Sequence, residues 1–252
     1  MTHDRFSSPL AERYASTGML ALWSAQTRHG LWRRLWLALA EAERDLGIDI
    51  PAAAIAEMRQ HLDDIDFVKV AAYEKRFRHD VMAHVHAFGE AAPAARGVIH
   101  LGATSAYVTD NADLIQMQRG LGLLRSRVIS VLRTLASFAS KWKDEPTLGY
   151  THLQPAQLTT VGKRATLWMQ DLVLDLADID FRLANLPLRG VKGTTGTQAS
   201  FLELFKGDHE KVRDLDRRVT RAMGFRESLP VTGPTYSRKI DAQVLGVVAG
   251  IA

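Results

Sequence analysis

Residues 149–157 carry the side chains of this chain that are best suited to proton transfer. They read Gly149-Tyr150-Thr151-His152-Leu153-Gln154-Pro155-Ala156-Gln157. Histidine can give or take a proton at working pH because its unperturbed pKa lies near neutrality. Pro155 is typical of the first turn of a helix, where a missing N–H costs nothing. We therefore expect a short turn before a very long helix, with His152 as a candidate proton donor at the mouth of that helix.

A second candidate cluster, Arg78-His79-Asp80, lies within a helical pattern. Sequence neighbours on a helix do not face each other. The three residues are either surface charges beside a half-buried histidine, or a helix end that presents a cation and a titratable ring to an anionic substrate. The nearby pair His84 and His86 diverges on a helix, and no zinc-type spacing occurs, so we expect no metal site.

Two glycine-containing segments could form binding loops. Gly190, Gly193 and Gly196 fit neither the phosphate-binding loop of nucleotide hydrolases nor a dinucleotide-binding turn. They indicate a tight backbone that either simply connects helices or covers a ligand. The stretch Gly102-Ala103-Thr104-Ser105 precedes a helix, so its backbone N–H groups and hydroxyls could cap that helix, bind a carboxylate or phosphate, or do both.

Composition excludes several classes of protein. The chain has 252 residues, 46% of them hydrophobic, which is a globular composition. Without cysteine it can hold neither a disulfide framework nor a cysteine–zinc site. The net charge of +4 is spread along the chain, with no run of basic residues and no transmembrane stretch. We expect a cytoplasmic protein that binds neither nucleic acid nor membrane.

The hydrophobic pattern predicts an all-α fold. It indicates helices over residues 31–46, ended by Gly47, and over 51–62, 66–88 and 236–251, with turns over 91–108. Two very long helices are predicted over 110–142, with Asp110 as N-cap, and over 156–186. Each would be about 45–50 Å long and needs partners along its whole length, so we expect a long bundle and an oligomer.

Six separate segments resemble the adenylosuccinate lyase family of the fumarase/aspartase superfamily. Their order and spacing agree with that family along nearly the whole chain. The segments are Arg13-Tyr14-Ala15-Ser16, residues 78–86, Ile99-His100-Leu101-Gly102-Ala103-Thr104-Ser105, residues 151–157, residues 190–201 and Thr235-Tyr236-Ser237-Arg238-Lys239.

The resemblance implies β-elimination of fumarate from adenylosuccinate, giving AMP, and from the succinylated aminoimidazole carboxamide ribotide. It implies no cofactor and no metal. His152 would be the general acid for the leaving nitrogen, supported by His79 as the second catalytic histidine. Further substrate-binding residues would contact the nucleotide, line the site or bind the succinyl carboxylates: Arg13, Tyr14, Arg78, His79, Asp80, Thr104, Ser105, Thr151 and Arg238.

The resemblance also implies an architecture. We expect an N-terminal helical domain over 1–104 and the first part of a long-helix bundle over 105–252, which assembles as a homotetramer in the full-length form. The family's serine loop, which carries the general base, has no counterpart here. We therefore expect an N-terminal portion of the enzyme that is inactive alone.

Pro234 is a second departure, because close relatives have a substrate-binding glutamine there. Proline offers neither an amide side chain nor a backbone N–H. Because of Pro234, an alternative interpretation is another lyase of the superfamily, which acts on a different succinyl or amidine compound. A helical assembly fragment without catalytic function is the further alternative.

Overall fold

A computed structural model describes residues 3–251. The chain divides into two compact units, the first made of residues up to Met117 with Leu186–Ser237, the second of Gln118–Asn185 with the residues from Arg238 onward. Helices account for 64% of the chain, which confirms the predicted all-α class. No helix within residues 3–251 combines the length and apolar character that crossing a membrane requires. The domain boundary at Thr104 stays a prediction.

Eleven α-helices and one β-hairpin lie within the described residues. The helices are α1 Ala11–Tyr14, α2 Thr17–Leu22, α3 Ala25–Asp45, α4 Ala52–Gln60, α5 Phe67–Phe77, α6 Asp80–Ala91, α7 Ser105–Lys141, α8 Val161–Ala184, α9 Ala199–Leu204, α10 His209–Ala222 and α11 Lys239–Ile251. The strands are β1 Pro146–Thr151 and β2 Gln154–Thr160.

The first unit is built around α3, which is buried on nearly every side. Leu35, Trp36 and Leu39 on this helix are completely inaccessible to solvent. A helix that is buried around most of its circumference lies inside a core, not at a surface. It begins six residues earlier than predicted because the Ser24 hydroxyl accepts from the Thr27 N–H and caps it. The predicted end is confirmed, since Gly47 follows with a positive φ of 99°.

The predicted helix over 66–88 is wrong as a single element, because it breaks at Arg78 and His79. Arg78 is left-handed (φ 52°) and ends α5, while His79 is extended and its ring caps α6. The apolar pattern continues through the break, with Val70, Ala83 and Ala87 in one cluster. Periodicity therefore could not reveal a change of direction that keeps the same face buried.

The predicted start of α7 is also wrong. Asp110 is not the N-cap, because the helix already begins at Ser105. Tyr107 and Val108 are fully buried, and their burial holds this turn helical. Asp110 is itself buried, and its Oδ2 accepts from the backbone N–H of Tyr236 at 3.0 Å.

The second unit contains the predicted apolar seam between long helices. Leu121 and Val128 of α7 meet Ile179 of α8 in one core, which confirms the periodicity in both helices. Partly buried residues of α7, α8 and α11 pack against that core: Leu132, Leu172, Leu176, Leu183, Val244, Val247 and Ile251. The helical spacing of apolar residues over 156–186 would also place Trp168 in this seam, but Trp168 is 57% exposed.

A β-hairpin replaces the predicted start of the second long helix. Strands β1 and β2 pair antiparallel, and α8 begins only at Val161, where the Thr160 hydroxyl caps it. Pro155 lies in β2 and not in a first helical turn. The ladder with β1 satisfies backbone groups that a helix would otherwise satisfy, a pairing that helix periodicity cannot detect.

Gly162 allows α8 to approach the end of α7 closely. A Cβ at this position would lie 2.4 Å from the Ala139 carbonyl oxygen and 2.8 Å from the Lys143 backbone. We predict that Gly162→Ala lowers the free energy of unfolding in urea by about 1–3 kcal/mol, the usual cost of overpacking.

Gly122→Ala is the matched control within the same unit. A Cβ at Gly122 would meet nothing within 4 Å, and alanine is the better helix former. It should raise stability by up to about 1 kcal/mol. Equal effects of the two substitutions would contradict the close approach at Gly162.

Candidate active site

The first unit brings two separate sequence motifs together at His79. The ring lies at the start of α6, where Nδ1 accepts from the Met82 backbone N–H at 3.4 Å. In the neutral ring the proton therefore sits on Nε2. Nε2 lies 3.4 Å from the Ser105 hydroxyl at the start of α7. A half-exposed imidazole and a hydroxyl thus face each other from the ends of two helices.

Asp80 and Arg78 flank this histidine in different ways. Asp80 Oδ1 lies 3.5 Å from Nδ1 of His79 and accepts from the Val81 N–H at 2.7 Å. Its negative charge lies in the first turn of α6, where the helix dipole favours it. Arg78 is exposed and held in a left-handed conformation, which is uncommon for a residue other than glycine.

Asp80 lines a cleft of about 140 Å³ whose other walls were not predicted. Arg28, His29 and Trp32 of α3 form one side, and Thr109 and Asp113 of α7 the other. Arg28 pairs with Asp113 at 3.2 Å. The cleft thus holds two carboxylates, a guanidinium and an imidazole around a space large enough for a small polar group.

Arg13 and Tyr14 lie beside a larger groove of about 620 Å³. They belong to α1, whose flanking residues Ala11 and Ala15 line that groove together with Arg28 and His29. Tyr14 is 78% exposed. Within residues 3–251, no side-chain hydrogen bond or ion pair joins Arg13 or Tyr14 to the His79 cluster. Their role in binding stays a prediction.

The first unit contains three histidines whose burial favours the neutral ring: His84 is buried, and His29 and His100 are half-buried. Burial lowers the pKa of His29 to about 4 and that of His84 to about 3, and the two rings stack with centroids 3.9 Å apart. Burial also lowers the pKa of His100 to about 4, with the nearby His79 as a smaller cause. Nδ1 of His100 accepts from the Trp36 indole N–H at 2.9 Å.

The glycine loop at 190–197 is tied down by a buried arginine. The Arg189 guanidinium donates to the carbonyls of Lys192 (3.0 Å), Gly193 (3.2 Å) and Pro234 (3.0 Å). Gly190 has a φ of 83°, and a Cβ there would lie 2.3 Å from Asp216 Oδ1. The conformation and the lack of space both require glycine at this position.

The second unit holds the remaining candidates, His152, Thr151 and Arg238. His152 and Leu153 form the two-residue turn of the hairpin, with φ values of 46° and 59°. This left-handed pair is typical of a type I′ turn, where Asn and Gly are the preferred residues. His152 is exposed, and Arg238 lies 3.5 Å from Asp241.

The chain matches known lyases along most of its length. Residues 8–207 match the family described as Lyase. The chain belongs to the lyase family. Adenylosuccinate lyase of Saccharomyces cerevisiae is 53% identical over 253 residues, covering 99% of this chain and 52% of that relative. The enzyme of the same name from Schizosaccharomyces pombe is 53% identical over 247 residues, covering 97% and 51%.

This lyase chain therefore spans about half the length of the curated relatives it matches. A solved fumarate lyase from a Mesorhizobium species has a TM-score of 0.76 and 26% identity, covering 93% of this chain and 53% of the other. A muconate cycloisomerase from Acinetobacter calcoaceticus has a TM-score of 0.79 at 20% identity, covering 97% and 56%, and shows the fold alone. The fold is of the fumarase/aspartase type, as predicted.

Sequence reasoning found the His79 and Ser105 motifs but missed the residues that surround them. Arg28 and His29 occur in an ordinary amphipathic stretch, where nothing in the spacing marks them. Arg189 looked like one basic residue before a glycine. The sequence signal that could have identified Arg189 is an arginine beside three closely spaced glycines. Tight backbone turns leave carbonyls that need a hydrogen-bond donor. Within residues 3–251, no group of three or more His, Asp or Glu side chains could hold a metal ion.

The buried histidines predict that stability falls in mild acid. Below pH 6.5, His29, His84 and His100 become protonated in the unfolded chain but stay neutral in the folded state. Each lowers the free energy of unfolding by up to about 1.4 kcal/mol per pH unit. Glu43 acts oppositely over this range, because burial raises its pKa to about 8 and the folded state holds its proton. We expect a net loss between pH 7 and 5, measured by urea unfolding.

Two variants separate these contributions. His84→Gln should flatten the pH slope, because one proton uptake on unfolding is removed. Glu43→Gln should steepen it, because the opposing carboxyl is gone. A stability that stays constant or rises towards pH 5 in the parent protein would show that the histidines are not kept neutral.

Proposed function

We propose that the natural protein carrying this chain is an adenylosuccinate lyase. It would eliminate fumarate from adenylosuccinate, giving AMP, and from the succinylated aminoimidazole carboxamide ribotide, giving the free carboxamide. The observation that carries the proposal is the meeting of the Arg78-His79-Asp80 and Thr104-Ser105 motifs at a 3.4 Å contact between His79 and Ser105. The 53% identity to the Saccharomyces cerevisiae relative extends over both motifs.

The elimination needs two proton transfers around a carbon–nitrogen bond. A base removes a proton from the succinyl carbon next to a carboxylate, the electron pair forms the double bond of fumarate, and the C–N bond breaks. The departing nitrogen takes a proton from an acid, for which we propose His152. A positioned general acid contributes about 10²- to 10⁴-fold to such a step.

Charge on the succinyl carboxylates must be stabilised while the proton leaves. Thr104 and Ser105 lie at the start of α7, where backbone N–H groups and the helix dipole favour an anion. Nε2 of His79 lies 3.4 Å from the Ser105 hydroxyl. We propose that these three side chains hold the succinyl end of the substrate, and that Arg13, Tyr14 and Arg78 bind the anionic nucleotide end.

The hairpin suits the role proposed for His152. A non-glycine pair in left-handed conformation costs energy and persists where surrounding structure imposes it, often at functional sites. Arg164 supports the strand below, donating to the Leu148 carbonyl at 3.0 Å. The turn therefore presents His152 and the adjacent Thr151 at a projecting tip.

We further propose that the protein acts as a cytoplasmic homotetramer. Helices α7, α8 and α11 of the second unit, with Trp142 directly after α7, leave large apolar side chains exposed, a feature of interaction surfaces. The set comprises Leu123, Val131, Phe138, Trp142, Leu167, Trp168, Val173, Leu174, Phe181, Leu245 and Val248. Such surface is rarely left in water by a stable monomer.

Fumarate release tests the proposal directly. We predict that the natural protein releases fumarate from adenylosuccinate, and that His152→Ala lowers kcat by at least about 100-fold through loss of the general acid. A hybrid, in which this chain replaces the matching half of the Saccharomyces cerevisiae relative, tests these residues against a known second half. Gln157→Ala, on the neighbouring strand, is the control for hairpin integrity.

Three outcomes would contradict the proposal. Full turnover by His152→Ala would show that His152 is not the general acid. Cleavage of argininosuccinate but not adenylosuccinate would favour another superfamily lyase. A hybrid that folds and assembles but releases no fumarate from either compound would favour an assembly role without catalysis.

Pro234 generates a separate prediction about affinity. The family resemblance implies a substrate-binding glutamine at this position, whereas Pro234 contributes only its carbonyl, which accepts from Arg189. Pro234→Gln keeps that carbonyl and adds an amide. We expect kcat/KM to rise about tenfold, the value of one good hydrogen bond. An unchanged or lower kcat/KM, with thermal stability retained, would show that the substrate does not reach this residue.

A further inference from the structure

We propose that Arg189 is a positioning residue of the lyase site, which holds the start of α7, and with it Ser105, in register with His79. The inference rests on the proposed function for its consequence and on contacts within the first unit for its geometry. Arg189 touches neither His79 nor Ser105. It would act through the backbone segments that it joins.

Arg189 connects segments that are distant in sequence. Its side chain is completely inaccessible to solvent, and its Nε lies 3.4 Å from Asp110 Oδ2 on α7. The other nitrogens donate to the carbonyls of Lys192, Gly193 and Pro234, as described above. One guanidinium thus joins α7, the glycine loop and the segment around Pro234.

The neighbouring residues repeat this attachment to α7. The Asn111 side chain donates to the Gly190 carbonyl and accepts from the Gly190 N–H, both at 3.1 Å. Asp110 accepts from the Tyr236 N–H at 3.0 Å. Asp110 and Asn111 lie within two turns of Ser105 on a continuous helix. Displacing them therefore moves the Ser105 hydroxyl relative to His79.

A second link runs from the glycine loop to the turn before α7. Gly193 donates to the Thr197 carbonyl at 2.7 Å and closes the loop. Ser200, in α9 directly after the loop, donates to the Gly102 carbonyl at 2.7 Å. Gly102 itself has no space for a side chain, since a Cβ would lie 2.7 Å from Leu204. Through this hydrogen bond, the loop and α9 also hold the segment that carries Thr104 and Ser105.

The shape of a guanidinium is what this arrangement uses. Arginine offers five N–H donors in a rigid plane, whereas lysine offers one rotatable ammonium. Arg189→Lys therefore keeps the charge beside Asp110 but cannot bond three carbonyls on two segments at once. Small displacements of groups that contact a substrate can lower rates by about 100-fold.

Arg33→Lys supplies the matched control. Arg33 is 2% exposed, pairs with the half-exposed Asp64 at 3.1 Å and donates to the His61 carbonyl, so the burial of its own side chain resembles that of Arg189. It contacts none of the segments that Arg189 joins. Loss of a buried guanidinium should reduce thermal stability similarly in both variants.

The experiment compares the two variants in the natural protein by kinetics and by amide hydrogen exchange. We expect Arg189→Lys to lower kcat and kcat/KM for adenylosuccinate together by about 10- to 100-fold. Arg33→Lys should stay within about twofold of the parent at 25 °C. Exchange should speed up at residues 105–111 and 190–198 in Arg189→Lys only.

Two results would overturn the inference. One is equal kinetics for the two variants. The other is unchanged exchange at residues 105–111 in Arg189→Lys, measured even if that variant is too unstable for assay. A parent protein without turnover would instead refute the proposed function, and the parent assay alone identifies that case.

Discussion

The buried guanidinium of Arg189 imposes the strictest requirement in the first unit. A cation without solvent must have a counter-charge and acceptors for its protons, or the fold loses several kcal/mol. Asp110 supplies the counter-charge, and three carbonyls accept from the two terminal nitrogens of the guanidinium. These groups come from parts of the chain up to about 120 residues apart. Burial lowers the pKa of the neighbouring Lys192, whose ammonium donates to the Arg189 carbonyl at 2.8 Å. Loop conformation, helix position and charge satisfaction thus depend on one another.

The candidate residues of each unit lie where regular structure stops. His79 stands between α5 and α6, Ser105 begins α7, and His152 occupies the tip of a hairpin. Arg78 and His152 are both left-handed, a conformation that side chains other than Gly and Asn avoid. Helix ends offer free N–H groups and a field that favours anions. The proposed role in binding a carboxylate-rich substrate therefore depends on these interruptions more than on the helices themselves.

The second unit follows a simpler rule. Leu121 and Val128 recur at helical spacing in α7 and pack against Ile179 of α8 in one core. The local apolar pattern and the tertiary packing therefore agree. Trp168 breaks the agreement, because apolar spacing cannot tell a residue facing its own unit from one left for a partner. Gly162 shows another feature that an apolar pattern does not predict. It allows a close approach of α8 to the Ala139 carbonyl.

The amino-acid sequence by itself determined the helical class, the long apolar seams and the motifs around His79, Ser105 and His152. These features follow from local spacing and residue chemistry, which are legible in one dimension. Tertiary structure alone decided the break at Arg78, the start of α7 at Ser105 and the hairpin in place of a helix. Each depends on burial or strand pairing between segments that sequence distance separates. The same holds for Arg189, whose importance is set by carbonyls that only the folded chain brings within reach.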